Sequence, residues 1–250
     1  MSCISGKQIK TVLLGIVTLT AVLLLFSSCR RETDNLLEGL KFLTKPGYEG
    51  RELPERTVED LKEAIARYER EVDQQVEAYG NLGIYYKMLA IEYIESEMYG
   101  LAMESLEKAI QIYPENEILF YLGGMSTARM AKSEMDRTVQ EELFNKAERY
   151  YLRALEIDHD YVDALYGLSV LYIFELDRTL EAEPLLETIL EKESKNVDAM
   201  FLLARVYVYS GRIEEAVELY DTIIETTSSP EKKQRARENK ESILEGAYEF

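Results

Sequence analysis

Between Asn196 and Ile224 the apolar positions recur every three or four residues in two separate runs. Met200, Leu203, Ala204 and Tyr207 make one stripe, and Ala216, Leu219, Tyr220 and Ile223 make the next. Spacing of this kind predicts two amphipathic helices. Ser210-Gly211 lies between them, and glycine suits a turn in which a helix ends on a residue of positive φ. Small residues at Ala204 and Ala216 allow close helix approach, with Tyr207 and Tyr220 filling the space around them. Such a pair cannot bury both faces alone, so it predicts neighbours of its own kind.

The same pattern occurs upstream. Leu168 and Tyr172 precede Leu203 and Tyr207 by 35 residues, and Ala182, Leu186 and Ile189 precede Ala216, Tyr220 and Ile223 by 34. Ala147, Tyr151 and Ala154 form an earlier set, as do Ala102, Leu106 and Ala109 before Pro114. Tyr79-x-x-Leu82-Gly83-x-x-Tyr86 opens the series. A period near 34 with these anchors resembles the tetratricopeptide repeat family, over roughly Gln75 to Thr226. The resemblance implies an all-α fold: an α-solenoid of about four helix pairs.

Two flanking elements extend it. From Thr57, Leu61, Ala64, Ile65, Tyr68, Val72 and Val76 form a stripe that predicts an N-terminal half-repeat helix with a capping role. After Ser229-Pro230, a polar helix over about Glu231 to Ala247 is expected to cap the last repeat through Ala236, Ile243 and Leu244. The repeats differ in length. Gly83 to Ala102 and Gly124 to Ala147 are longer than Ala204 to Ala216 by 7 and 11 residues, or two and three helical turns. Whole turns keep a stripe on one face. Lengthened first helices, reaching about Glu97 and about Met135, are therefore expected in place of long loops.

Residues 1–28 read as an export signal. Lys7 and Lys10 precede the uncharged run Thr11 to Phe26, and Ser27 and Ser28 lead to Cys29. This resembles a bacterial lipoprotein signal, in which the thiol of Cys29 takes a diacylglycerol and becomes the new N-terminus. The alternative is an uncleaved anchor, although the run is shorter than the roughly 20 residues a spanning helix needs. Either way the domain is expected to be exported and tethered to a bacterial membrane, on its periplasmic or surface side, with inner or outer membrane left open. Residues 29–56, with Pro46-Gly47, Gly50 and Pro54, read as a tether, and 57–250 as the repeat domain.

Composition narrows function. The net charge of −18 excludes nucleic acid as a natural partner, since phosphate binding needs clustered cations. Two cysteines and one histidine leave no set of metal or thiol ligands. His159, in Asp158-His159-Asp160, sits at an expected surface turn. No nucleophile elbow or glycine-rich phosphate loop is present. No catalytic residue, metal or cofactor is expected, and the protein reads as a non-enzyme.

In the repeat family, inward positions of the first helices line a groove. Here these correspond to Tyr121 and Met125, Tyr166 and Val170, and Phe201 and Arg205, with Tyr209 one turn further on. The set is apolar and aromatic, suited to a peptide, a partner helix or a small apolar ligand. The competing reading places the same side chains in the core. The inward Lys and Asn residues that some members use to grip a C-terminal carboxylate are absent from these positions. The expected function is a membrane-anchored protein-interaction scaffold of the bacterial envelope. The layout is also similar to repeat lipoproteins that accompany the solute-binding proteins of tripartite (TRAP-type) transporters, and to those that assist outer-membrane or pilus assembly.

Overall fold

The computed structural model describes residues 55–246; the signal-like segment, Cys29 and the expected tether up to residue 54 lie outside them, while the last two tether residues, Glu55 and Arg56, already belong to a helix. Contacts divide the chain into two units, residues 1–67 and 68–250. All regular structure among the described residues is helical: α1 (Glu55–Glu95), α2 (Tyr99–Ile112), α3 (Glu117–Ser133), α4 (Arg137–Ile157), α5 (Val162–Phe174), α6 (Glu183–Lys192), α7 (Val197–Tyr209), α8 (Ile213–Thr226) and α9 (Pro230–Leu244), with a 3₁₀ turn at Thr179–Ala182. In the second unit, each helix packs on the next, α1 on α2 through Ala90, Met103 and Leu106, and α3, α5 and α7 also touch one another in series. This is an all-α solenoid of four pairs, closed by α9.

The sequence explains where each helix starts. Asn116, Asp136, Asn196 and Ser229 cap α3, α4, α7 and α9, their side-chain oxygens accepting backbone N–H groups of the first turn. Pro184 falls in the first turn of α6, where its missing N–H costs nothing. Alanines pack where helices cross: Ala102, Ala109, Ala147, Ala154, Ala182, Ala204 and Ala216 are fully buried. Leu106, Leu168, Leu186, Ile189 and Ile223 are buried between them. Each contributes about 1.5–3 kcal/mol by leaving water.

The length differences are absorbed by helix, as expected. The first helices of repeats one and two end at Glu95 and Ser133, close to the expected Glu97 and Met135. In repeat two, α3 and α4 have 17 and 21 residues, against 13 and 14 for α7 and α8. The extra residues therefore lengthen both helices of that pair. In repeat one they lengthen α1 alone.

Two expectations need correction. The half-repeat helix does not end before repeat one, because α1 is continuous over 41 residues. No proline or turn-forming cluster interrupts Asp73 to Ala78, so nothing stops the helix. Its stripe residues Leu61, Ile65, Tyr68, Val72 and Val76 are between 43% and 66% exposed. At the other end, Ala236 and Ile243 are buried as the cap required, but Leu244 is 62% exposed. It is the last residue of α9, beyond the reach of α8.

An ionic staple recurs between repeats. Arg178 donates to Glu148 at 2.6 Å and lies over the Tyr172 ring at 4.3 Å. One repeat later Arg212 donates to Glu183 at 2.5 Å and lies over Tyr207 at 4.1 Å. In both, an arginine just after a first helix ties that helix's tyrosine to the second-helix region of an adjacent element. The two staples fix the relative register of neighbouring helices in the second half of the stack.

Candidate binding cleft between repeats two and three

Tyr151 on α4 organises this junction. Its ring is wedged between Gly124 of α3 and Gly167 of α5. A Cβ added at either glycine would fall 2.8 Å or 2.7 Å from ring carbons. Only glycine allows both first helices to close on that ring. Burial, the first cause, pushes the Tyr151 phenol well above its ordinary pKa, with Tyr121 adding to the shift and Arg129 opposing it.

Beside Tyr151 lies a cavity of about 270 Å³. Tyr121, Met125 and Ala128 of α3 line one wall, Tyr166, Val170 and Leu171 of α5 the other, and Phe144 with Tyr151 the floor. Arg129, Lys132, Asp163 and Glu175 form its polar rim. Lys132 and Glu175 pair at 2.7 Å between the two walls. Arg129 is exposed and forms no ion pair among the described residues. Tyr121 meets Tyr161 edge-on, with centroids 5.7 Å apart, and the Tyr161 hydroxyl donates to Asp163 at 3.2 Å. Burial first, then the Asp163 charge, raises the pKa of Tyr121; burial first, then Asp198, raises that of Tyr166. Both phenols therefore stay protonated at neutral pH and can donate hydrogen bonds. The arrangement can hold an apolar or aromatic group, with a cation and hydroxyls at the edge.

Of the seven expected groove residues, the structure brings together Tyr121, Met125, Tyr166 and Val170. It places the other three elsewhere. Phe201 is 9% exposed, 6.1 Å from the Tyr220 ring, and covered by the Arg235 guanidinium of α9 at 4.1 Å. Arg205 lies over the Phe174 ring at 5.0 Å. Tyr209 ends α7 and is 46% exposed. Sequence reasoning missed the floor, Phe144 and Tyr151, because it drew the groove from first helices alone. The signal available was Gly167, a glycine within a helix where the next repeat has Leu202.

No chemistry gathers at the lone imidazole. Asp158, His159 and Asp160 lie close enough to share a cation, but Lys192 already pairs with Asp160 at 2.8 Å and holds its carboxyl below the usual range. His159 is in an exposed turn.

The comparisons agree with this architecture. Residues 83–116 and 174–231 each match the tetratricopeptide repeat family. A TPR repeat-containing protein of Borreliella burgdorferi is 25% identical over 180 residues, which is 72% of this chain and 78% of that one. Among solved structures, TTC0263, a thermophilic TPR protein of Thermus thermophilus, superposes with a TM-score of 0.53 at 18% identity, covering 69% of this chain and 85% of that one. MamA 41-end from Desulfovibrio magneticus RS-1 gives 0.55 at 12% identity, covering 66% and 86%. With the helix pairs stacked in series and the anchors at the expected period, this is a tetratricopeptide-repeat-like solenoid, the repeat itself being matched at residues 83–116 and 174–231.

Proposed function

We propose that this protein is a non-catalytic scaffold that holds an extended segment of a partner protein in the cleft between repeats two and three. Proteins of this repeat family are generally protein–protein interaction scaffolds. The observation that carries the finer reading is the cleft itself. Apolar and aromatic side chains of α3 and α5 face a shared space there, where the equivalent Phe201 is covered. Its volume accommodates one or two large side chains of a peptide, and Arg129 with the protonated tyrosines supplies donors for the backbone or for an acidic neighbour.

The signal-like segment and Cys29 support anchoring of this scaffold by an acyl chain on the exported side of a bacterial membrane. Among the described residues no helix is long and apolar enough to cross a membrane. The apolar lining also favours a second reading, in which a small apolar ligand occupies the cleft, as in an accessory protein of a tripartite transporter.

A photo-crosslinking residue in place of Met125, introduced into the full chain in cells, tests both. A covalent adduct with another protein, absent when the same residue replaces Phe201, supports the scaffold. Recovery of a solute-binding protein points to transport, and recovery of barrel or pilus-assembly subunits points to assembly. No protein adduct at either position would sink the scaffold reading. Cys29→Ala should abolish lipid labelling, and retained labelling would sink the anchor.

A further inference from the structure

We propose that the protein pairs with a second copy of itself through the bare side of α1 in the first repeat. On one side of that helix Gly80, Gly83, Tyr86 and Ala90 face α2: the Tyr113 hydroxyl donates to the Gly80 carbonyl at 2.9 Å, and Ala90 is fully buried. On the opposite side Leu82, Tyr85, Met88 and Leu89 follow one another at spacings of three, six and seven residues. They are 43%, 67%, 58% and 42% exposed. Four large apolar side chains on successive turns form a contiguous patch, which soluble surfaces rarely present without a partner.

The two ends of the stack differ in kind. At the last repeat, α9 turns Ala236 and Ile243 inward and presents lysines, arginines and glutamates outward, with Lys232 and Lys240 paired to Asp198 and Asp221. A charged surface of that sort cannot receive the apolar side of another copy's α1, so head-to-tail stacking is blocked. The surface that matches the α1 patch is the same patch on a second copy. Such a contact is isologous and closes at two subunits.

Charge and area are consistent with this occupant. From Ala78 to Tyr86 the helix carries no charged residue, in a chain of net charge −18. Two copies meet with least repulsion at such a stretch. The four side chains and their polar flanks would bury on the order of 1,000 Å² in the pair, the lower bound for a specific interface. Tyr and Met are also residue types enriched at interface centres.

The test uses the full chain in detergent, with a photo-crosslinking residue at Tyr85, and reads particle mass by sedimentation. The expected results are a particle of twice the protein mass and a covalent product joining residues 78–95 of one copy to residues 78–95 of another. The double variant Tyr85→Glu/Leu89→Glu should halve the mass while leaving helicity unchanged, since both side chains are exposed. A wild-type particle of single-chain mass would overturn the proposal. So would a Tyr85 product joined to residues 30–54 of its own chain, a product with a foreign protein only, or a double variant that stays paired.

Discussion

The junction between repeats two and three and the junction between repeats three and four are built from the same register of residues, yet the first opens into the cleft while Phe201 at the second is covered. Tyr166 and Phe201 occupy equivalent places 35 residues apart, as do Gly167 and Leu202, and Tyr151 and Leu186. In repeat four, Leu202 is packed in the core, and Phe201 is sealed by Tyr220 and by Arg235 of the terminal helix. In repeat three, Gly167 has no side chain, and the Tyr151 ring moves into its place. The first helices then stand on either side of a ring, with room left beside it. One glycine-for-leucine exchange, together with the absence of a covering helix among the described residues, separates an open cleft from a packed core.

The largest expected effect tests the closed side. Phe201→Ala should cost about 3 kcal/mol or more, because it opens a void against Tyr220 under α9. Denaturant midpoints measure it, and crosslinking at Met125 should persist. A cost below about 1 kcal/mol would mean that Phe201 is not core.

Next in size is Gly167→Ala. The new methyl would stand 2.7 Å from a Tyr151 ring carbon, and the ring is held on its other side by Gly124. Overpacking of this kind costs about 1–3 kcal/mol, against which alanine returns roughly 1 kcal/mol of helix propensity. In the background of Tyr151→Leu, which copies the repeat-three residue Leu186, the same methyl should be tolerated. If the two substitutions simply add, the wedge is not what separates the junctions.

Tyr166→Ala should sharpen the contrast from the open side. Its side chain is only half-buried, so the stability cost should stay near 1 kcal/mol. Partner binding should fall by roughly tenfold, as for an aromatic anchor. A large loss of stability with unchanged binding would reverse the assignment.

Alkali gives a smaller effect in the packed part of repeat three, at Tyr172. Burial, then the hydrogen bond to Glu148, raises the Tyr172 pKa from 10.0 to about 12. Because the folded value is raised, the fold favours the protonated phenol. This contribution is complete below pH 10 and is lost as pH rises through 12. Tyr172→Phe should remove that part of the alkaline loss and cost about 1 kcal/mol at neutral pH by leaving one Glu148 contact unmade. Unfolding curves between pH 8 and about 11.5 compare the two proteins. An identical pH dependence would show that Tyr172 does not contribute.

Much of this could be read from the chain before any coordinates. Alanine and tyrosine spacing marked the pairs, and whole-turn insertions placed the ends of α1 and α3 within two residues. Four groove residues meet because each lies on a first helix at the family's inward register. Phe201 follows the same register and is nonetheless covered, since periodicity along one helix carries no information about what α9 lays across it. The continuous α1 was illegible for a related reason. Two apolar stripes in one helical phase look alike whether a turn divides them or not, and no breaker residue stands between them.

The turns inside the repeats carry the smallest expected effect, and they compare repeat one with repeat four. Gly211 has φ 79° and follows α7; its neighbour Arg212 donates its N–H to the Tyr207 carbonyl at 2.8 Å. Repeat one builds the same turn, with the Met98 N–H donating to the Tyr93 carbonyl at 2.8 Å, but the left-handed residue is Glu97, with φ 59°. Glycine signalled the first turn in the sequence, and nothing signalled the second. A non-glycine residue held left-handed costs about 1 kcal/mol, part of which glycine gives back through its freer unfolded state. Glu97→Gly should therefore raise stability by about 0.5 kcal/mol, while Gly211→Ala should lower it by about 1 kcal/mol. Nothing lies within 4 Å of a Cβ at Gly211, so the second change reports backbone strain and not a clash. If both substitutions prove neutral, the turns relax in solution, and helix length alone distinguishes the tall repeats from the short ones.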